Sequence, residues 1–192
     1  MSEKNIYLVF SKTNTWLSRG ITLFSKTKYV HTSLSLDDTF QVMYSFGRVK
    51  PNNPFSGGFA IENLFDGVYT KSPTCECLIY KVNVTTKQYN ELLKEINYFC
   101  SKKECYRYNF LGLFGVLLNR PVVRKHHYFC TQFVSELLIK TKVYESTKVP
   151  ALIKTTDLFN LENKELIYKG PVTAYQLSGE YPNNTSHTQQ IV

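Results

Sequence analysis

Apolar residues enter this chain in short runs whose period changes from two to about three and a half and back. Residues 6–10 (Ile-Tyr-Leu-Val-Phe) are β-branched and aromatic, which predicts a buried strand. Residues 11–15 supply turn and N-cap types. Trp16, Leu17, Ile21, Leu23 and Phe24 then fall at helical spacing. From 30 to 36 the pattern alternates, with Val30, Thr32, Leu34 and Leu36 on one face and His31, Ser33 and Ser35 on the other; this predicts a half-buried strand. Asp37-Asp38-Thr39 reads as a turn, and residues 40–46 as the antiparallel partner of a hairpin. The stretch 47–58, rich in Gly, Pro and Asn, reads as a loop, and 59–61 and 77–82 as further strands.

The second half is helical in period. Thr85 caps a helix in which Leu92, Leu93, Ile96 and Phe99 recur at core spacing. Residues 106–118 lead into an apolar, Gly-interrupted helix that Asn119-Arg120-Pro121 breaks. A third helix opens near Cys130, with Phe133, Val134, Leu137 and Leu138 inward, and a short strand follows at 165–168. The order β-α-β-β-β-β-α-α-α predicts an α+β fold, an antiparallel sheet packed against helices. Residues 1–180 are expected to form a single domain, and 181–192 a polar, flexible tail.

Composition narrows the class. With 43% hydrophobic and 15% aromatic residues the chain is of globular type. The longest apolar stretch, 110–118, is half of what a membrane-spanning helix requires, and no signal peptide is read at the start. The expectation is a soluble, cytoplasmic protein. Its formal net charge of +8 favours anionic partners, yet no block of five like charges signals a nucleic-acid tail. Five cysteines, at 75, 77, 100, 105 and 130, are an odd number, and reduced thiols are expected. Cys75-x-Cys77, Cys100-x4-Cys105 and His126-His127 include metal-ligand types, but none has the spacing of a zinc knuckle. No metal or organic cofactor is expected.

Candidate chemistry centres on Cys130 and His31. A cysteine at a helix start sits among backbone N–H groups without intrahelical acceptors, where an anion is favoured and the thiolate is the reactive form. The same N–H groups can hold the oxyanion of an acyl-transfer intermediate. His31, on the polar face of its strand, suits a general base reaching a thiol on a neighbouring helix. Each has an ordinary alternative: Cys130 as core, His31 as surface. The basic loop 120–127 leads directly into Cys130 and could attract an anionic substrate group.

Four blocks carry a resemblance. Val30-His31-Thr32-Ser33-Leu34-Ser35-Leu36-Asp37-Asp38, Gly57-Gly58-Phe59, Tyr108-Asn109-Phe110-Leu111-Gly112 and Tyr128-Phe129-Cys130-Thr131-Gln132-Phe133-Val134 occur in the order of the signature segments of the permuted NlpC/P60 superfamily. The chain thus resembles the YaeF/YiiX-like group, related to lecithin:retinol acyltransferases, over roughly residues 5–170. That resemblance implies a circularly permuted papain-like fold, with His31 as base, Cys130 as nucleophile and Tyr108 lining the oxyanion site. It also implies a third, orienting residue on the strand after the His strand. Tyr44 falls closest, Gln41 and Ser45 are the small polar alternatives, and Glu62 is the nearest carboxylate downstream. Thr131 and Gln132 depart from the family pattern, in which a small Ser and an acidic residue are common. The implied function is a cysteine hydrolase or acyltransferase acting on an amide or ester bond through a thioester. The alternative is a non-catalytic papain-like module binding an anionic peptide, cell-wall or lipid ligand. Expected partners are a small-molecule, peptide or lipid substrate, anionic ones being favoured by the charge, and peripheral membrane contact, with no nucleic acid.

Overall fold

In the computed structural model the described residues are 3–12, 28–48, 56–71 and 74–177. The helix read at 16–24 and the tail 181–192 lie outside them. The first strand, β1 (Glu3–Lys12), is flanked by β2 (His31–Ser35) and β5 (Glu76–Thr85); β3 (Met43–Arg48) and β4 (Gly57–Glu62) extend the sheet on one side. On the other side β8 (Lys164–Pro171) completes six strands in the order β4-β3-β2-β1-β5-β8, every neighbouring pair antiparallel. With α1 (Thr86–Ser101), α2 (Phe110–Leu117), α3 (Cys130–Lys140), α4 (Thr155–Leu158) and α5 (Val172–Leu177), the fold is α+β. None of the described helices is long and apolar enough to cross a membrane.

Alternation along β1 divides the core. Ile6, Leu8 and Phe10 join the cluster under α1 and α3, which includes Leu34, Phe46, Phe59, Phe99, Phe133 and Leu137. Tyr7 and Val9 turn to the opposite face and pack with Phe40, Met43, Leu64, Cys77 and Ile79. A strand buried on both faces must be apolar at successive positions, as 6–10 is. Phe46 sits among the rings of Phe59, Phe99, Tyr106, Tyr128 and Phe133, with centroids 5.1–6.1 Å away. This aromatic cluster joins the sheet to α1 and α3.

Several boundaries differ from the sequence reading for local reasons. The strand expected at 40–46 begins at Met43, because the turn after β2 is wider than Asp37-Asp38-Thr39. Ser35 Oγ donates to Asp37 O and Val42 O, and Phe40 takes a positive φ of 52° that buries its ring on the far face. β2 is not half-buried: Ser33 and Ser35 are fully covered, their hydroxyls satisfied by hydrogen bonds. Gly47, Gly57 and Gly58, read as loop, lie in β3 and β4. The helix that residues 106–112 lead into starts at Phe110 and ends at Leu117. Before it, β6 (Arg107–Tyr108) pairs in parallel with β7 (His127–Tyr128). The helix at Thr85 forms as read, with a capping box in which Thr85 Oγ1 accepts from Gln88 N and Gln88 Oε1 accepts from Thr85 N.

Candidate functional site

Cys130 is the first residue of α3. Its side chain is held there because the helix buries Phe133, Val134, Leu137 and Leu138 against the sheet, which turns the N-terminus toward the start of β2. The N-cap position is Phe129, whose side chain cannot accept a hydrogen bond, and the first turn has no acidic residue. The leading N–H groups of α3 are thus left without a side-chain cap beside the thiol. Cys130 Sγ donates to Val30 O, the carbonyl immediately before His31, at 3.8 Å, which sets the thiol beside the imidazole, close enough to favour its charged form.

His31 is held through Nε2, which is 3.0 Å from both Glu62 Oε1 and Glu62 Oε2 and 3.3 Å from Ser33 Oγ. Glu62 stands at the end of β4, two strands away, and receives hydrogen bonds from Ser33 Oγ at 2.7 Å and Tyr69 OH at 2.8 Å. Both partners of the pair are nearly covered, their side chains 15% and 11% exposed. Burial opposes charging the imidazole, but Glu62 and the hydrogen bond with Cys130 prevail and raise its pKa well above 6.5. Burial likewise pushes the Glu62 carboxyl upward, while His31, Ser33 and Tyr69 outweigh it and bring its pKa below 4.5. The Tyr69 hydroxyl, buried and facing a carboxylate, is pushed well above 10 and remains a donor.

Tyr108 completes the cluster. Its register opposite Tyr128 places it beside the chain that enters α3, and the hydrogen bonds from Arg107 N to His126 O and Asn109 N to Tyr128 O, both 2.9 Å, fix that register. Gly57 makes room for it: a Cβ there would lie 2.5 Å from Tyr108 Cβ. A Cβ on Gly47 would meet Glu62 Oε1 at 3.2 Å and His31 Cε1 at 3.4 Å. Burial and the neighbouring Cys130 raise the Tyr108 pKa well above 10.

The geometry brings four of the five sequence candidates together: Cys130, His31, Glu62 and Tyr108. Tyr44 is elsewhere. It pairs with Leu34 and Ile61 in the sheet and stacks on Phe59 in the core beneath the helices. Of the alternatives, Gln41 is exposed before β3, and Ser45 is buried with its hydroxyl donating to Thr32 O at 2.6 Å. Of the four residues considered for the third position, Glu62 is the one that bonds to His31, and it comes from β4 rather than β3. Comparison with family models, curated proteins and solved structures returned no match.

Two residues of the cluster escaped the sequence reading. Ser33 lies on the same strand face as His31, so strand period could have found it. Tyr69 comes from the turn after β4, and no pattern marks it. The remaining thiols are differently placed: Cys75 and Cys77 are buried in the second core, their pKa values pushed by burial to about 11 and about 12. Among the described residues no group of three or more His, Cys, Asp or Glu side chains could hold a metal ion. His127 engages Lys125 O through Nδ1, and His126 packs edge-on against Tyr106. A groove of about 680 Å³ runs along β4 between the 66–69 turn and residues 103–107, and it meets the cluster at Glu62 and Tyr69. The thiol itself is beneath the surface, Cys130 being 3% exposed.

Proposed function

We propose that the protein is a cysteine-dependent hydrolase or acyltransferase on a circularly permuted papain-like scaffold, acting on an amide or ester bond. The observation that carries this reading is a thiol at the first position of a helix, beside an imidazole whose Nε2 is gripped by a buried carboxylate. The order along the chain, with the strand-borne His before the helix-borne Cys, supports the permuted arrangement.

In this mechanism His31 Nδ1 takes the Cys130 proton as sulfur attacks the carbonyl carbon. The resulting imidazolium is stabilised by Glu62, and the oxyanion by the uncapped N–H groups of α3 and the Tyr108 hydroxyl. His31 returns the proton to the departing amine or alcohol, leaving an acyl thioester on Cys130. Water or another acceptor, deprotonated by His31, then attacks the thioester and regenerates the thiol. No step requires Tyr44.

A second reading, a non-catalytic binding module, is favoured by one observation: the groove touches Glu62 and Tyr69 while the thiol is covered. Alkylation of the full chain with iodoacetamide at about pH 6, read site by site by mass spectrometry, decides between them. The enzyme reading expects Cys130 to react ahead of the exposed Cys105, and His31→Ala to slow it. If Cys130 reacts no faster than Cys105, or His31→Ala leaves its rate unchanged, the binding module stands.

A further inference from the structure

We propose that the outward face of α2 and the loop after it form a docking surface for an anionic lipid bilayer. The helix has an inverted arrangement: Gly112 and Gly115 are buried, while Leu111, Phe114 and Leu117 face outward. Five of the eleven large hydrophobic side chains exposed among the described residues fall within 111–123, with Phe114 at 64%, Leu118 at 71% and Val123 at 74% exposure. Packing enforces this orientation. A Cβ on Gly112 would lie 2.5 Å from Asn109 Nδ2, and one on Gly115 2.4 Å from Arg120 O, so the helix cannot turn its bulky side inward. A contiguous apolar patch held outward in this way marks a contact surface.

Charge identifies the occupant. Between Glu104 and Glu136 the sequence has no acidic residue, and Arg120, Arg124 and Lys125, all exposed, flank the apolar side chains. Protruding hydrocarbon with only cationic charges in the same segment is the composition of an interfacial segment: the acyl region takes the side chains, and anionic headgroups meet the cations. None of the protruding residues lines the groove beside β4. The same segment links Tyr108 to Cys130, so docking sets the bilayer beside the candidate site; the inference does not depend on catalysis.

Flotation of the full chain with vesicles of phosphatidylcholine, with and without phosphatidylserine, tests it. Partition is expected onto the phosphatidylserine vesicles, weakening with salt. Phe114→Ser with Leu118→Ser should reduce it at least about tenfold. Arg124→Gln and Lys125→Gln should each cost about fivefold. All variants are expected to unfold at the wild-type temperature, since the altered side chains are exposed. Failure of the wild type to float with anionic vesicles, or equal partition of wild type and variants, overturns the proposal. So does a Phe114→Ser change that splits a dimer while leaving flotation intact, which would make a second copy the occupant.

Discussion

Glu62 grips the His31 ring through both carboxylate oxygens, each 3.0 Å from Nε2, from a strand two places away in the sheet. The imidazole is therefore fixed through Nε2, beside the Cys130 thiol. Ser33 and Tyr69 in turn occupy the carboxylate, so that it neither rotates nor is left with unpaired charge.

Replacing Glu62 with Gln should lower the His31 pKa, because burial opposes the imidazolium and the carboxylate that outweighs it is gone. An NMR titration of the His31 ring checks this. A ring that titrates at the same pH in both proteins would mean that the carboxylate does not govern it.

The same pair predicts how stability varies with pH. Folding raises His31 above 6.5, so its contribution is complete below that value and is lost as pH rises through the raised pKa. Folding lowers Glu62 below 4.5, so its contribution is present above that value and is lost as pH falls through the depressed pKa. Wild type should exceed Glu62→Gln most between about pH 4.5 and 6.5, by on the order of 2 kcal/mol, with the gap narrowing on either side. Urea unfolding across pH measures it.

Tyr69→Phe removes one donor from Glu62 and leaves the ring in place. A buried hydrogen bond to a charged acceptor is worth about 1.5–3 kcal/mol, so unfolding should become easier by that amount. The Glu62 pKa should rise, which an NMR titration of its carboxyl checks.

Gly57→Ala places a methyl 2.5 Å from Tyr108 Cβ. Either β4 or Tyr108 must move, at a cost of about 1–3 kcal/mol. If Tyr108 serves the oxyanion, thioester formation should slow by more than the loss of stability accounts for, as seen in burst-phase kinetics once a substrate is found.

Phe46→Ala empties the centre of the aromatic cluster that joins β3 to α1 and α3. A loss of about 3–5 kcal/mol is expected, measured by chemical denaturation. A loss below about 1 kcal/mol would show that the cluster does not tie the sheet to the helices.

What the amino-acid order determined by itself was local. The apolar run at 6–10 read as a buried strand, Thr85 as the cap of a helix, and the apolar period after Cys130 as a helix opening near it. Periodicity reports which neighbours along the chain share a face, so it located His31 on a strand and Cys130 at a helix start. It could not choose among Tyr44, Gln41, Ser45 and Glu62, because that choice depends on register between strands. Tyr44 was the nearer in sequence, yet its place opposite Leu34 turns it into the core. Glu62, thirty-one positions from His31, is brought to it by sheet pairing and held by a tyrosine from a turn without any periodic signal. Non-local contacts of this kind are set by how strands pair and helices pack, and only the folded chain contains that information.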